Sequence, residues 1–134
     1  MQTGEALFHT VKISHPISLK DVESLLCSAL EGGSNYWAKI VEEKAPLNFK
    51  NTNPSDVKFT HLSYPMNEGG SITIKDDEGK KHKLTLAHLR RGLNRLANNK
   101  EYASVFANIV NDNADAADAD VFLQFALLGE VIYG

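Results

Sequence analysis

Residues Val121–Gly134 read VFLQFALLGEVIYG, the most apolar stretch of the chain. Chain termini usually fray in water, so a stretch this apolar needs a place to be buried. Between Val121 and Leu128 only Gln124 is polar. As a helix the segment is apolar almost all round, the pattern of a helix enclosed by other elements. With Gln124 and Glu130 interrupting it, the run falls well short of the ~20 residues that span a bilayer. It is therefore expected to be the central helix of a soluble core, capped by Asp118 or Asp120. Glu130–Tyr133 is expected to follow as a last strand or anchor.

Working back from that helix, the polar run NDNADAADAD is expected to be a linker. A helix over about Glu101–Val110 puts Tyr102, Val105, Phe106, Ile109 and Val110 on one face. Before it, Thr85 can cap a helix whose apolar positions are Leu86, Leu89, Leu93, Leu96 and Ala97. SITIKDDEGKKHKLTL reads as a hairpin: Ile72 and Ile74 share a side, Asp76–Gly79 turns, and His82, Leu84 and Leu86 continue. The proline- and asparagine-rich stretch 46–70 is loop-like, with VKFTHLSY a possible short strand, and is long enough to be a binding loop. SNYWAKIVEEK suits a short helix or a strand. Ser18, with Asp21, opens a helix carrying Val22, Leu25, Leu26, Ala29 and Leu30; Gly32 and Gly33 close it with a left-handed residue. LFHTVKIS alternates and predicts a strand that Pro16 stops. The fold expected is α+β in a single domain, 1–134. A small antiparallel sheet of about three to five strands packs against three to four helices, the C-terminal one buried.

The net charge of −3 conceals a polarity. From Ser71 to Lys100 eight basic residues face three acids, and from Glu101 onward there are six acids and no Lys or Arg. Lys83, His88, Arg90, Arg91 and Arg95 are the candidate ligand- or phosphate-binding residues, because guanidinium forks suit phosphate oxygens. The opposed reading is a solvated hairpin and the exposed face of an amphipathic helix. A helix-turn-helix reading of residues 84–110 is weakened by a second helix with no Arg or Lys beyond its start. Overall acidity also argues against a dedicated nucleic-acid binder. Tyr36 and Trp37, beside a glycine turn, are candidate partner-binding aromatics; a core role for Trp37 is the alternative.

The acids at 112, 115, 118 and 120 do not meet the spacing of a calcium loop. The five histidines make no metal-ligand pair. The single cysteine, Cys27, excludes an internal disulfide, and no nucleophile elbow, phosphate loop or dinucleotide fingerprint is present. No cofactor and no catalytic residue are expected. The N-terminus has no basic and apolar leader pattern, which points to the cytoplasm.

Three stretches, SLKDVESLLCSALEGGSNYW, GGSITIKDDEGKKHKLTLAHLRRGL and ADVFLQFALLGEVIYG, together resemble a family of small phage and prophage proteins, most without an assigned function. The shared features are an ALEGG…YW segment, a GG strand with an acidic turn before an LT helix start, and a similar ending. The matched positions Gly32, Gly33, Trp37, Gly129 and Tyr133 are structural. The resemblance implies action inside a bacterium during phage growth or lysogeny, and such proteins often inhibit host machinery, defence systems included. The function expected is a non-enzymatic accessory protein whose partner is a host protein or a nucleotide ligand. The alternative is a nucleic-acid-associated protein using the basic 75–100 segment. No membrane partner is expected, and the apolar terminus leaves room for a homodimer.

Overall fold

The computed structural model describes residues 6–47 and 62–134. Its centre is the expected C-terminal helix, α4, Ala116–Leu127. It begins a turn earlier than expected, because Asp115 and not Asp118 or Asp120 is the N-cap. Asp115 accepts the Asp118 N–H at 2.8 Å, and Asp118 accepts the Asp115 N–H at 3.2 Å. This reciprocal pair satisfies donors that every helix start leaves free. Half of the presumed polar linker is thus the first turn of the helix. Every residue from Phe122 to Leu127 is buried, Gln124 included.

Among the described residues three helices surround α4. Helix α1, Leu19–Ser28, is opened by Ser18, which accepts the Asp21 N–H at 3.1 Å, and it buries Val22, Leu25 and Leu26. It runs on into a π-helical turn, Ala29–Gly33. The left-handed ending expected of the glycine pair is not used, since neither residue has a positive φ. Gly33 is required for another reason: a Cβ there would collide with the carbonyl of Ala116. Helix α2, Leu86–Ala97, lies against α4 through Leu89, Gly92 and Leu96. Helix α3, Ala103–Val110, follows a 3-10 turn at Lys100–Tyr102 and buries Ile109.

Among the described residues the sheet has three antiparallel strands in the order β1 (Lys39–Lys44), β2 (Ser71–Lys75), β3 (Lys81–Leu84). The hairpin is in register as Ile72 with Leu84 and Ile74 with His82. Ile72, Ile74 and Leu84 are fully buried, so this face joins the core. Of the two readings of SNYWAKIVEEK the strand forms, over Lys39–Lys44, while Ser34–Trp37 is a turn and no helix.

The strand expected over LFHTVKIS does not form; residues 6–18 have no regular secondary structure, and all of them but Ile17 are exposed. Alternation marks a side chain's face but supplies no strand to pair with, and none is offered among the described residues. Most of VKFTHLSY lies outside the described residues; its last residue, Tyr64, opens a 3-10 turn, Tyr64–Met66. Among the described residues no helix is long and apolar enough to cross a membrane.

Candidate functional site

Three places gather chemistry-bearing side chains. The first is interior. Asp120 is 7% exposed, and its carboxylate accepts four hydrogen bonds. Ser34 Oγ and Trp37 Nε1 each donate to Oδ1 at 2.7 Å. Tyr36 OH donates to Oδ2 at 2.6 Å, and Gln124 Nε2 donates to it at 3.2 Å. Gln124, one turn on, then holds the tail. Its Oε1 accepts the Ile132 and Tyr133 N–H groups at 2.8 Å each, and its Nε2 donates to the Tyr133 carbonyl at 2.9 Å. Glu130–Tyr133 is therefore an anchor and not a strand. Tyr133 stacks on Trp37, with ring centroids 5.1 Å apart and planes 9° apart.

This lock places both candidate aromatics. Trp37 is 3% exposed, one ring face on Tyr133 and its N–H spent on Asp120, so it is a core residue. Tyr36 is 53% exposed and presents its ring outward while its hydroxyl turns in. Burial of that hydroxyl, then its bond to the Asp120 carboxylate, pushes its pKa up to about 12. The phenol is thus held neutral, as a donor.

Beside it lies a polar cleft of about 530 Å³ between Asn35–Lys39 and the turn of the β2–β3 hairpin. Asp76 shapes that turn: Oδ1 accepts the Glu78 and Lys80 N–H groups at 2.9 Å each, and Oδ2 meets His82 Nε2 at 2.7 Å. The His82 bond, foremost, holds the Asp76 carboxyl below the usual range. An Asp–His pair can serve catalysis, but every oxygen of this one is committed to fixing a tight turn, with Gly79 at φ 85°.

The second place is the basic segment, and the fold divides it. Lys83 pairs with Thr73 across the hairpin, on the sheet face opposite Ile72, Ile74 and Leu84. His88, Arg91 and Arg95 share one side of α2, while Arg90 lies about 160° round from His88. Thr85, at the N-cap position, makes no capping bond; its hydroxyl joins His88 Nδ1 at 2.7 Å. Burial, then Arg91, Arg95 and His82, press the His88 pKa below its ordinary value. Arg95 is partly committed: its Nη1 donates to the Phe125 carbonyl at 3.2 Å beside Gly129, closing the C-terminal end of α4. A cation there also suits the helix dipole. His88 and Arg91 thus form a pair with a structural third member, and Lys83 and Arg90 stand apart from them.

The third place is the N-terminal arm. Leu7, Val11 and Ile13 are 76%, 72% and 72% exposed, and Phe8 is fully exposed. Four large apolar side chains within seven residues lie in solvent. At its base the arm touches the body through Ile17 and through His15, whose ring meets Phe106 edge-on at 5.8 Å. Beneath it is a cleft of about 680 Å³ between Ile13, His15 and Ile17 on one side and α2 with Phe106 on the other. Arg90, Leu93, Asn94 and Ala97 are its α2 lining.

The described residues contain no group of three His, Cys, Asp or Glu side chains placed to hold a metal ion. Cys27 is partly buried in α1, and burial raises its pKa, which keeps it a thiol. Reading residue types one by one missed Ser34, Asp120 and Gln124. The available signal was Asp120 and Gln124 spaced four apart, on one side of an otherwise apolar helix. No protein-family model, no curated protein and no solved structure matches this chain.

Proposed function

We propose that this chain is a non-enzymatic accessory protein of a phage or prophage that captures a bacterial host protein, a defence component being the favoured class, through its N-terminal arm. One observation carries the reading: the exposure of Leu7, Phe8, Val11 and Ile13 together. Apolar surface gathered in this way marks an interaction site. The alternating pattern of the arm suits addition as a strand to an open sheet edge on the partner, where main-chain bonds supply affinity and alternate side chains supply specificity. The likeness to phage proteins in three blocks supports the biological setting. The commitment of Asp120, Tyr36, Asp76 and His82 to internal bonds supports a binding role over a catalytic one.

The test is capture from bacterial lysate, identification of the partner, and measurement of its affinity as a purified protein. Val11→Asp combined with Phe8→Asp should weaken that affinity at least tenfold with no loss of thermal stability, because both positions face water. Equal affinity of the variant would refute the arm as the docking element. Self-association lost in the variant, with no partner captured, would make the arm a homodimer contact instead.

The second reading, nucleic-acid association, rests on His88, Arg91 and Arg95 sharing one side of α2. Forked guanidinium donors on that side suit phosphate oxygens. A gel shift at two salt concentrations tests it, since phosphate-driven binding must weaken steeply with salt.

A further inference from the structure

We infer that the cleft between the arm and helices α2 and α3 binds a small monoanionic amphiphile, a carboxylate on an apolar body. The cleft of about 680 Å³ is within the size range that takes small organic ligands. Its walls are apolar over most of their extent: Ile13 and Ile17 from the arm, Leu93 and Ala97 from α2, and Phe106 from α3. Three of these, Ile17, Leu93 and Phe106, pack on the core from beneath, so the floor is anchored.

The polar groups sit where an anionic head needs them. Arg90 lines the cleft and makes no hydrogen bond or ion pair with any described residue, in contrast to Arg95, which is bonded to Phe125. Asn94 is four residues on, hence on the same side of α2, and its amide can add a second donor. From Arg90 to Ala97 the cleft follows α2 for about 10 Å, at 1.5 Å per residue. That distance sets the length of the apolar body beyond the head.

One guanidinium fork matches one carboxylate in two parallel bonds. The same count disfavours a nucleotide. A phosphate monoester would bring up to two charges, and among the described residues Arg90 is the one guanidinium lining the cleft. Asn98, at the far end, gives one amide N–H to the Asn94 carbonyl at 2.8 Å. The chemistry left is a carboxylate at Arg90 and Asn94, with hydrocarbon over Leu93, Ala97 and Phe106. This inference stands whether or not the arm captures a host protein.

Titration calorimetry on the full chain with decanoate, below its micelle-forming concentration, tests the site. One-to-one binding is expected. Arg90→Gln should weaken it at least tenfold by removing the charged fork, and Ala97→Glu should do so by placing bulk and like charge in the apolar floor. Both positions are exposed, so melting temperatures should match the parent. Lys83→Gln, on the far face of the sheet, should leave binding unchanged. The inference is overturned if decanoate gives no binding at 1 mM or if Arg90→Gln binds as the parent does. Equal binding of methyl decanoate would equally overturn it, showing that apolar contact alone is at work. Tighter binding of adenosine monophosphate than of decanoate would replace the carboxylate with a nucleotide and sink the assignment.

Discussion

Replacing Asp120 by alanine should cost this protein a large part of its stability. The carboxylate accepts from four donors, and their fates differ once it is gone. Ser34 is fully buried and Trp37 is 3% exposed, so the hydroxyl and the indole N–H would both be stranded away from water. Each stranded donor costs about 1–3 kcal/mol. Tyr36 is exposed enough to turn its hydroxyl to solvent, and Gln124 Nε2 keeps the Tyr133 carbonyl, so these add little. Removing a desolvated carboxylate returns part of the loss. The balance is about 2–5 kcal/mol, against a total of about 5–15 kcal/mol for a domain of this size. Asp120→Asn should cost about 1–2 kcal/mol. Its oxygen can still take the Ser34 and Trp37 donors, while its NH2 group meets Gln124 Nε2, another donor. Urea unfolding followed by the fluorescence of Trp37, the only tryptophan, reads the lock directly. With a slope of about 2 kcal/mol per molar, Asp120→Ala should lower the midpoint by roughly 2 M. A loss under 1 kcal/mol would refute the reasoning, because it would mean the donors find other partners and the carboxylate does not hold the turn to α4.

Other outcomes follow from the same contacts. Gly92→Ala should destabilise although alanine favours helix by about 1 kcal/mol. The added Cβ would stand 2.6 Å from the Ala126 Cβ, and overpacking of about 1–3 kcal/mol outweighs the gain; a melting temperature at or above the parent's would contradict this. Gln124→Leu removes both acceptors and donors of the tail, so the Ile132 and Tyr133 amides should exchange with solvent far faster, while the rest of α4 stays protected; hydrogen exchange by NMR decides. The raised pKa of Tyr36 makes a pH prediction. The neutral phenol is favoured by folding, so its contribution is intact below pH 10 and lost as pH rises through about 12. Tyr36→Phe should lower stability at pH 9 but flatten the alkaline decline, and urea midpoints at pH 9 and 11.5 that fall equally in both proteins would count against it.

Apolar patterning made several elements legible. The burial of the C-terminal helix, the Ser18 cap and the 71–84 hairpin all follow from local spacing and capping chemistry, and each is present. Where tertiary contacts decide, local patterns misled. Leu7–Ile13 alternates as a strand does, yet pairing requires a neighbour that sequence cannot place. Gly32 and Gly33 look like a left-handed helix ending, but Gly33 is set by the approach of the Ala116 carbonyl, a residue 83 positions away. The basic cluster, close in sequence, is separated by geometry: strand alternation turns Lys83 outward, and helical pitch sends Arg90 and Arg91 to different sides. Closeness along the chain is a poor measure of convergence when the chain is a hairpin followed by a helix.

The polar residues of α4 explain how so apolar a helix settles in one orientation. A helix that is hydrophobic all round gains nearly the same burial at any rotation about its axis, so the hydrophobic effect alone leaves its facing undetermined. Two kinds of contact remove that freedom. Asp120 and Gln124 must face Ser34, Trp37 and the tail, since any other rotation strands their hydrogen-bonding groups in hydrocarbon. About 120° round from Asp120, Ala126 meets Gly92 of α2, where no larger pair fits. Polar satisfaction thus sets the rotation, and the small pair sets how closely α2 approaches. The Asp120 bonds reach back 83 to 86 residues, so the first third of the chain cannot take its final place until α4 is seated. A folding experiment on Asp120→Asn should accordingly show the loss mainly as faster unfolding, because contacts between such distant segments form late.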